Sequence, residues 1–164
     1  MQLRSLTAAA LFAALTAVFS QIAIPTPWLV PINLATCSVF LAGAILGARW
    51  GMASQLVYLA LGLCGLPVFS GFRAGAQTLL GPTGGYLIGY VLAALVIGLF
   101  AERWTFHGGL VLSMTCGLIL CYALGTAWFM IATASTLSHA LTLCVLPFLP
   151  GDALKIAIAA VLSK

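Results

Sequence analysis

The chain of 164 residues is 63% hydrophobic and only 5% charged, and its mean hydropathy is +1.22. This composition excludes a soluble globular domain and predicts an integral membrane protein. The formal net charge of +4 comes from six Lys and Arg residues against two acids. Because these cations are scattered singly and form no basic patch, we expect no nucleic-acid partner.

Six apolar segments approach the roughly 20 residues that a helix needs to cross a bilayer. The sequence therefore predicts a single-domain, all-α bundle of six transmembrane helices. The expected helices cover residues 6–24, 32–48, 52–66, 84–101, 109–133 and 150–164. The first segment exceeds the length of a secretory signal core and ends in Pro25 and Pro27 without a small-residue cleavage site, so we expect it to be retained.

The start of the last helix depends on a proline break. Residues 137–149 are also apolar and could form the final span, but residues 153–162 would then lie in water. Pro147, Pro150 and Gly151 mark the break, and Pro150 is well placed to open a new helix. We therefore predict a helical or re-entrant connection over residues 137–146.

The cations predict the orientation of the bundle. Arg4, Arg49, Arg103 and Lys164 all fall on one side of the six expected helices. By the positive-inside rule this side is cytoplasmic, which places both termini inside. Arg73 is then the single charge in an external loop, where it could anchor at the lipid headgroups or contact a ligand.

A glycine-rich segment over residues 65–86 interrupts the apolar pattern. Irregular backbone at membrane depth is tolerated where protein buries it or where it lines a water-filled cavity. The segment therefore predicts a ligand pocket near the outer face. It contains no phosphate-loop motif, so any uphill transport must draw on a partner protein or an ion gradient.

Asp152 and Lys155 are three residues apart in the last predicted helix and should be neighbours on one face. Ionisable residues inside a membrane are costly and mark functional sites. The alternative is a structural pair, in which Asp152 suits the helix dipole and Lys155 neutralises it. Further candidates could contact a ligand, another helix or the headgroup region, namely Gln21, Asn33, Gln77, Tyr86, Phe72 and Trp28.

Small residues of two kinds remain. The cysteines form no C-x-x-C pair and are interpreted as small buried residues rather than metal ligands, at Cys37, Cys64, Cys116, Cys121 and Cys144. In the first helix, alanines form a small-residue strip that another helix could approach closely, at Ala9, Ala13 and Ala17 with Ala10 and Ala14 alongside. This strip could dock a partner subunit or pack against the protein's own helices.

Several motifs together resemble the BioY family, the biotin-capturing S subunits of energy-coupling-factor (ECF) transporters. The matches are Val30-Pro-Ile-Asn33, Leu41-Ala-Gly43, Gly65-Leu-Pro-Val-Phe69 with Gly81-Pro-Thr-Gly-Gly-Tyr-Leu87, and Leu146-Pro-Phe-Leu-Pro-Gly-Asp152 followed by Lys155. They cover nearly the whole chain. At one point, Leu34-Ala35-Thr36 stands where relatives often have Leu-Gln-Thr, so a glutamine-dependent contact is not expected there.

The resemblance implies a multi-pass protein of a prokaryotic inner membrane that takes up biotin and is not an enzyme. Asp152 and Lys155 would be its binding pair, and the first-helix alanines would contact the transmembrane coupling subunit. Two ATPase subunits would use ATP to drive release inside, so this chain would need no cofactor or metal of its own.

Biotin offers a carboxylate, an apolar chain and a ureido group, and the candidate residues can be matched to these parts. Lys155 and Arg73 are the cationic candidates. The ureido edge could meet Asp152, Asn33 and Gln77, and the apolar part could be covered by Phe72 and Tyr86.

Two other functions are weighed against this one. A stand-alone biotin carrier, driven by an ion gradient, would transport without ATPase subunits. A membrane hydrolase could use Ser138, His139 and Asp152, but neighbouring Ser and His rarely reach triad geometry and the chain has no G-x-S-x-G motif.

Overall fold

The computed structural model describes residues 2–24, 30–104, 106 and 108–163. Trp28 and Lys164, which the sequence placed in the aromatic belt and at the cytoplasmic end, lie outside the described residues. The helices and strands follow in the order α1 Gln2–Gln21, β1 Ala23–Ile24, β2 Ile32–Asn33, α2 Ala35–Leu63, α3 Ala76–Leu80, α4 Gly84–Arg103, α5 Gly109–Thr133, α6 Leu137–Cys144 and α7 Leu149–Leu162.

Four of the described helices, α1, α2, α4 and α5, are long and apolar enough to cross a membrane. The pair α6 and α7, bent by 50° at a short break, passes the same test when taken together. Large apolar side chains cover the outside of the bundle, for example Ile131, which is 81% exposed, and Val161, which is 72% exposed. Such a surface would drive aggregation in water but suits a bilayer, so the chain is an all-helical, multi-pass membrane protein.

The helix α2 is a hairpin that turns at Gly47. The φ of +75° at this residue breaks the helix and favours glycine, which lacks a Cβ. Beyond the turn the chain runs back on itself, because a Cβ on Gly51 would lie 2.9 Å from the carbonyl oxygen of Ala42. In one continuous helix, Ala42 and Gly51 would be roughly 13 Å apart. The first arm (residues 35–46) and the second arm (residues 48–63) therefore pack antiparallel.

The helix α4 holds this turn in place. The carboxylate of Glu102 accepts a hydrogen bond of 3.0 Å from the backbone N–H of Ala48. Gly98 lets the two segments touch, since a Cβ on it would come within 2.2 Å of the Ala48 nitrogen. These contacts bring Arg49, Glu102 and Arg103 to one end of the bundle.

Several helix boundaries differ from the predicted ones near the chain's first loop. The helix predicted over residues 6–24 ends at Gln21, and the one predicted from residue 32 begins at Ala35. Between them, β1 and β2 pair antiparallel, with Ala23 opposite Asn33. The Asn33 side chain accepts a 3.1 Å hydrogen bond from the N–H of Ala35, a local bond that favours a helix start over a helix interior.

The second arm ends at Leu63 rather than residue 66, close to Gly65 with its φ of +98°. At the other end of the chain, the predicted connection and last helix are both observed. The connection is α6, and α7 carries Pro150 in its first turn. The turn of the hairpin was also misplaced by the sequence, which put it after residue 48 rather than at Gly47.

A buried cluster of hydroxyl and amide groups joins α1 to both arms of α2. The Thr16 hydroxyl lies 2.9 Å from that of Ser38, and the Gln55 amide donates to Thr16 at 3.2 Å and to Ser54 at 3.1 Å. None of these four side chains is exposed. Interhelical hydrogen bonds of this kind supplement van der Waals packing in a membrane.

The expectation that all five cysteines are buried was wrong for two of them. Cys37, Cys121 and Cys144 are buried, whereas Cys64 is exposed and Cys116 is half-buried. Cys64 follows the second arm at the edge of a loop, where an apolar neighbourhood in sequence does not require burial. All five are free thiols.

Candidate functional site

A cavity lies at the end of the bundle remote from the Gly47 turn. Its walls come from the start of the first arm, the far part of the second arm, the loop before α3, and α4, α5 and α7. The polar lining is Asn33, Thr36, Tyr58, Ser70, Arg73, Thr78, Thr83, Tyr86, Tyr90, Tyr122, Asp152 and Lys155. The apolar lining is Val30, Pro31, Phe69, Leu87, Cys121 and Phe148.

An ion pair is buried in the wall of this cavity. The Nζ of Lys155 lies 2.7 Å from the Oδ1 of Asp152, one turn apart at the start of α7. Asp152 is 1% exposed and Lys155 is 6% exposed. It is the only salt bridge within the described part of the chain, and it has the neighbouring geometry that the i, i+3 spacing predicted.

The start of the first arm completes the bonding of the ammonium group. Lys155 donates to the backbone oxygen of Asn33 at 2.6 Å and to the hydroxyl of Thr36 at 3.0 Å. The Thr36 hydroxyl in turn donates to Oδ1 of Asp152 at 3.1 Å. The three donors of the ammonium are thus occupied, so α7 is tied to the beginning of α2.

The second carboxylate oxygen is bonded by a residue of α5. The hydroxyl of Tyr122 donates to Oδ2 of Asp152 at 2.5 Å. The pair is therefore neutral as a unit and hydrogen-bonded on both oxygens, which is the condition for keeping two charges at low dielectric. Removing one partner would leave the other as an uncompensated buried charge.

Aromatic rings form much of the remaining wall. Phe69 packs edge-on against Tyr58, with ring centroids 5.6 Å apart and planes at 83°. The ring of Tyr86 occupies the space beside Gly125, where a Cβ would lie 2.3 Å from it, and its hydroxyl donates to the Cys144 carbonyl at 3.3 Å. The cavity thus combines apolar walls with a few polar groups, as small-molecule sites do.

A tight turn brings a loop to the cavity. We call residues 64–75, between the second arm and α3, the cap loop. The backbones of Phe69 and Arg73 exchange hydrogen bonds of 3.1 and 3.2 Å, and the turn between them has φ of +71° at Gly71 and +57° at Phe72. The loop contributes Phe69, Ser70 and Arg73 to the lining.

Ser70 carries a signal that only the structure reveals. Its hydroxyl oxygen is buried and has no hydrogen-bond partner in the protein. A buried polar atom of this kind calls for an explanation, such as a water or a ligand. Because Ser70 lines the cavity, a bound molecule could supply the missing bond.

The structure brings five of the predicted ligand-binding residues together and leaves two outside. Those that line the cavity are Asn33, Arg73, Tyr86, Asp152 and Lys155. Phe72 is 71% exposed, and Gln77 is exposed on the short helix α3. Neither lines the cavity, because the turn at residues 69–73 and the start of α3 place them on the outside of the bundle.

Among the polar lining residues, the sequence missed Thr36, Tyr58, Ser70, Thr78, Thr83, Tyr90 and Tyr122. A hydroxyl inside an apolar span is costly unless it is hydrogen-bonded, and this signal would have selected Tyr90 and Tyr122. No local pattern marks Thr36, whose contacts to Asp152 and Lys155 join residues far apart in the chain. The neighbouring Ala35 is fully buried.

The alanine strip of α1 is divided between two faces. Ala9 and Ala13 are 3% and 1% exposed and pack inside this chain, which corrects their assignment to a partner-docking face. Ala10 and Ala14 are exposed, and Ala17 is half-buried. A spacing of four residues puts Ala10 and Ala14 on one stripe, while Ala9 and Ala13 fall one position away and turn inward.

The hydrolase arrangement is not formed. The Asp152 carboxylate is bonded by Thr36, Tyr122 and Lys155, so it does not orient His139. Ser138 and His139 both lie exposed on α6. Among the described residues, no group of three or more His, Cys, Asp or Glu side chains could hold a metal ion.

The fold and the site define a class: a multi-pass helical membrane protein with a buried ion pair in an aromatic-lined cavity. The model of the BioY family matches residues 1–164, and the chain belongs to this family. It is 38% identical over 161 residues to the biotin transporter BioY of Thermotoga maritima, covering 98% of this chain and 94% of that protein.

Two further comparisons agree with this one. The biotin transporter BioY of Rhodobacter capsulatus is 36% identical over 175 residues, covering 98% of this chain and 92% of that protein. The solved structure of the S-component for biotin from an ECF-type ABC transporter superposes with a TM-score of 0.91 at 30% identity, covering 99% of this chain and 89% of that chain.

Proposed function

We propose that this chain captures biotin as the substrate-binding S subunit of an ECF-type transporter and carries out no enzymatic reaction. The observation that carries the proposal is the fully hydrogen-bonded Asp152–Lys155 pair in the cavity wall. A pair so costly to bury needs a reason, and a ligand that donates hydrogen bonds to the Asp152 carboxylate supplies one. The names of the relatives support biotin as that ligand.

The geometry favours one orientation of the ligand. The ammonium of Lys155 already has its three donors occupied, whereas Arg73 is exposed and lines the cavity. We therefore place the biotin carboxylate at Arg73 and the ureido group at the buried end. There the ureido N–H groups can donate to Asp152, and the apolar rings and chain of biotin can lie against Phe69 and Tyr86.

The proposed topology has six crossings with both termini in the cytoplasm and the cavity near the outer face. The two arms of α2 count as two crossings, which join α1, α4, α5 and the bent α6–α7 pair. Arg49 and Arg103 support the orientation because they lie together at the Gly47 end, and cytoplasmic ends are rich in such cations. Arms of this length fit a compact bundle better than isolated spans.

The decisive experiment is equilibrium binding of radiolabelled biotin to the purified, detergent-solubilised protein. We expect saturable binding with one site per chain, competed by unlabelled biotin and not by an unrelated vitamin. Thermal unfolding of the same preparation establishes that it is folded. A folded wild-type protein without saturable binding would overturn the assignment.

A missing hydrogen bond at Ser70 predicts a loss of affinity. We expect Ser70→Ala to weaken biotin binding by about 3–10-fold, since one net hydrogen bond contributes about 1 kcal/mol. The measurement is the equilibrium Kd. The matched control is Ser138→Ala on the exposed face of α6, which should bind as the wild type does. Unchanged binding in Ser70→Ala would show that the ligand does not meet this hydroxyl.

If this chain works with partner subunits, a substitution on its docking surface should impair biotin transport and leave biotin binding intact. We propose that the exposed alanines Ala10 and Ala14 contact the transmembrane coupling subunit and that two ATPase subunits supply the energy in a prokaryotic inner membrane. Close approach at such a stripe needs small side chains. We therefore expect Ala14→Leu to reduce ATP-driven biotin uptake by at least about tenfold, because the larger side chain prevents the partner helix from approaching. Biotin binding should be unchanged.

The control for this prediction is Ala132→Leu, which enlarges an exposed alanine on α5. Uptake into liposomes that hold the complete complex is compared with uptake by this chain alone. Full uptake by the chain alone, driven by an ion gradient and indifferent to Ala14→Leu, would favour the stand-alone carrier instead.

A further inference from the structure

The cap loop is fastened to the end of α1 by two adjacent polar side chains. The Gln21 amide donates to the carbonyl oxygens of Val68 and Phe69, both at 3.1 Å. Its carbonyl oxygen accepts a 3.0 Å hydrogen bond from the N–H of Phe72. The Ser20 hydroxyl adds a 2.5 Å bond to the same Val68 carbonyl. The end of α1 therefore bonds the loop on both sides of its turn.

These bonds hold a segment that lies directly against the cavity. Phe69 is 1% exposed and fills the space left by Gly62, where a Cβ would come within 2.0 Å of its ring. Ser70 and Arg73 follow it in the cavity lining. Gln21 is not part of this lining, so it can influence a ligand only through the position of the loop.

Glycines with positive φ stand near both ends of the cap loop. Gly65 and Gly75 have φ of +98° and +82°, and a side chain on either would meet nothing within 4 Å. The second arm holds the far end through one hydrogen bond of 2.8 Å from the N–H of Gly75 to Gly62. Between these glycines, the side-chain bonds that tie the loop to another helix are those of Ser20 and Gln21.

We propose that Ser20 and Gln21 form a latch that holds the cap loop closed against the cavity and so sets how long a bound ligand stays. The identity of the bound ligand as biotin rests on the proposed function. The latch belongs to α1, which packs mainly against α2 and is the least buried of the four long helices. A shift of α1 relative to the bundle would therefore pull on the loop.

The first test measures the release of radiolabelled biotin from Gln21→Ala. We expect dissociation roughly 10–100-fold faster than from the wild type, because about three modest hydrogen bonds are lost, with the number of binding sites per folded chain unchanged. Biotin release from Gln21→Glu should be at least as fast, since the new carboxylate would face two carbonyl oxygens and has no N–H to donate to them. Val18→Ala, an exposed change one turn earlier in α1, should release biotin at the wild-type rate.

The second test needs no ligand. Amide hydrogen exchange is followed in the ligand-free protein, where an open latch should speed exchange at Phe69, Phe72 and Arg73 and leave the middle of α4 protected. Ser20→Ala, which removes one bond, serves the same purpose if Gln21→Ala does not fold. Wild-type exchange in the cap loop of a folded Gln21→Ala protein would overturn the latch even if biotin binds as proposed. Absence of biotin binding in the wild type would instead refute the proposed function and leave this exchange test standing.

Discussion

Lys155→Ala is expected to lower biotin affinity by at least about a hundredfold and to destabilise the protein. The substitution removes the ammonium from a site where Asp152, Thr36 and the Asn33 carbonyl all depend on it. It also leaves the Asp152 carboxylate buried without a counter-charge, and breaking such a pair costs about 3–5 kcal/mol. Equilibrium binding of labelled biotin and thermal unfolding would be measured on the same preparation.

A neutral pair separates the loss of binding from the loss of stability. In the double variant Asp152→Asn with Lys155→Met, no buried charge remains, and replacement of a buried ion pair by uncharged groups is often tolerated. We expect this protein to unfold near the wild-type temperature and still fail to bind biotin. Wild-type affinity in the neutral variant would mean that the pair is structural, as the alternative interpretation of the sequence holds.

Gly98→Ala is expected to destabilise the bundle by forcing α4 away from the hairpin turn of α2. The added Cβ would lie 2.2 Å from the nitrogen and 2.4 Å from the Cα of Ala48. Because these are backbone atoms, the clash can be relieved only by moving the turn itself, which would stretch the hydrogen bond from the Ala48 N–H to Glu102. Overpacking costs about 1–3 kcal/mol, which lowers the Tm of a protein of this size by about 2–12 °C.

The control for this prediction is Gly151→Ala. Gly151 lies in the helix α7, and a Cβ there would meet nothing within 4 Å. Since alanine favours a helix over glycine by roughly 1 kcal/mol, this variant should be as stable as the wild type or slightly more so. Thermal unfolding in detergent, with biotin absent, provides the comparison. Equal Tm values for both variants would show that the turn adjusts easily at Gly98.

The helices and the ion pair were predictable because their signals are local. A run of apolar residues long enough to cross a bilayer specifies a helix wherever it lies. The spacing of Asp152 and Lys155 specifies a shared helix face without reference to any other element. Pro150 likewise marks the start of α7 through its fixed backbone angle. The order of the long helices therefore followed from neighbours in the sequence, whereas β1, β2 and α3 were not predicted.

The hairpin in α2 shows where local signals fail. Arg49 lay in the expected break because its charge interrupts the apolar run, yet it lies in the second arm, and the turn is at Gly47. Two glycines, Gly47 and Gly51, stand close to each other in the sequence. Only contact with Ala42 and α4 decides which one opens the turn and which one allows the arms to approach.

The site itself divides in the same way. Residues on one helix, such as Asp152 and Lys155, could be found from their spacing, whereas Thr36 and Tyr122 reach Asp152 from other helices. Phe72 and Gln77 lie outside the cavity lining because residues near each other in a loop need not face the same way. Gln21 was a candidate for contact with a ligand or another helix, and only the structure shows that it bonds the cap loop instead.

The sequence alone determined that this protein is a helical membrane protein of the family its motifs resemble, with its two buried charges one turn apart. Hydropathy and helical spacing are patterns among residues close together in the chain, so both can be recognised from the sequence without knowing how the helices pack. The tertiary structure alone decided which alanines of α1 face outward, where α2 reverses, and which hydroxyls complete the ion pair. These outcomes depend on the packing of segments distant in sequence, because a buried polar group can bond only to partners that the neighbouring helices place beside it.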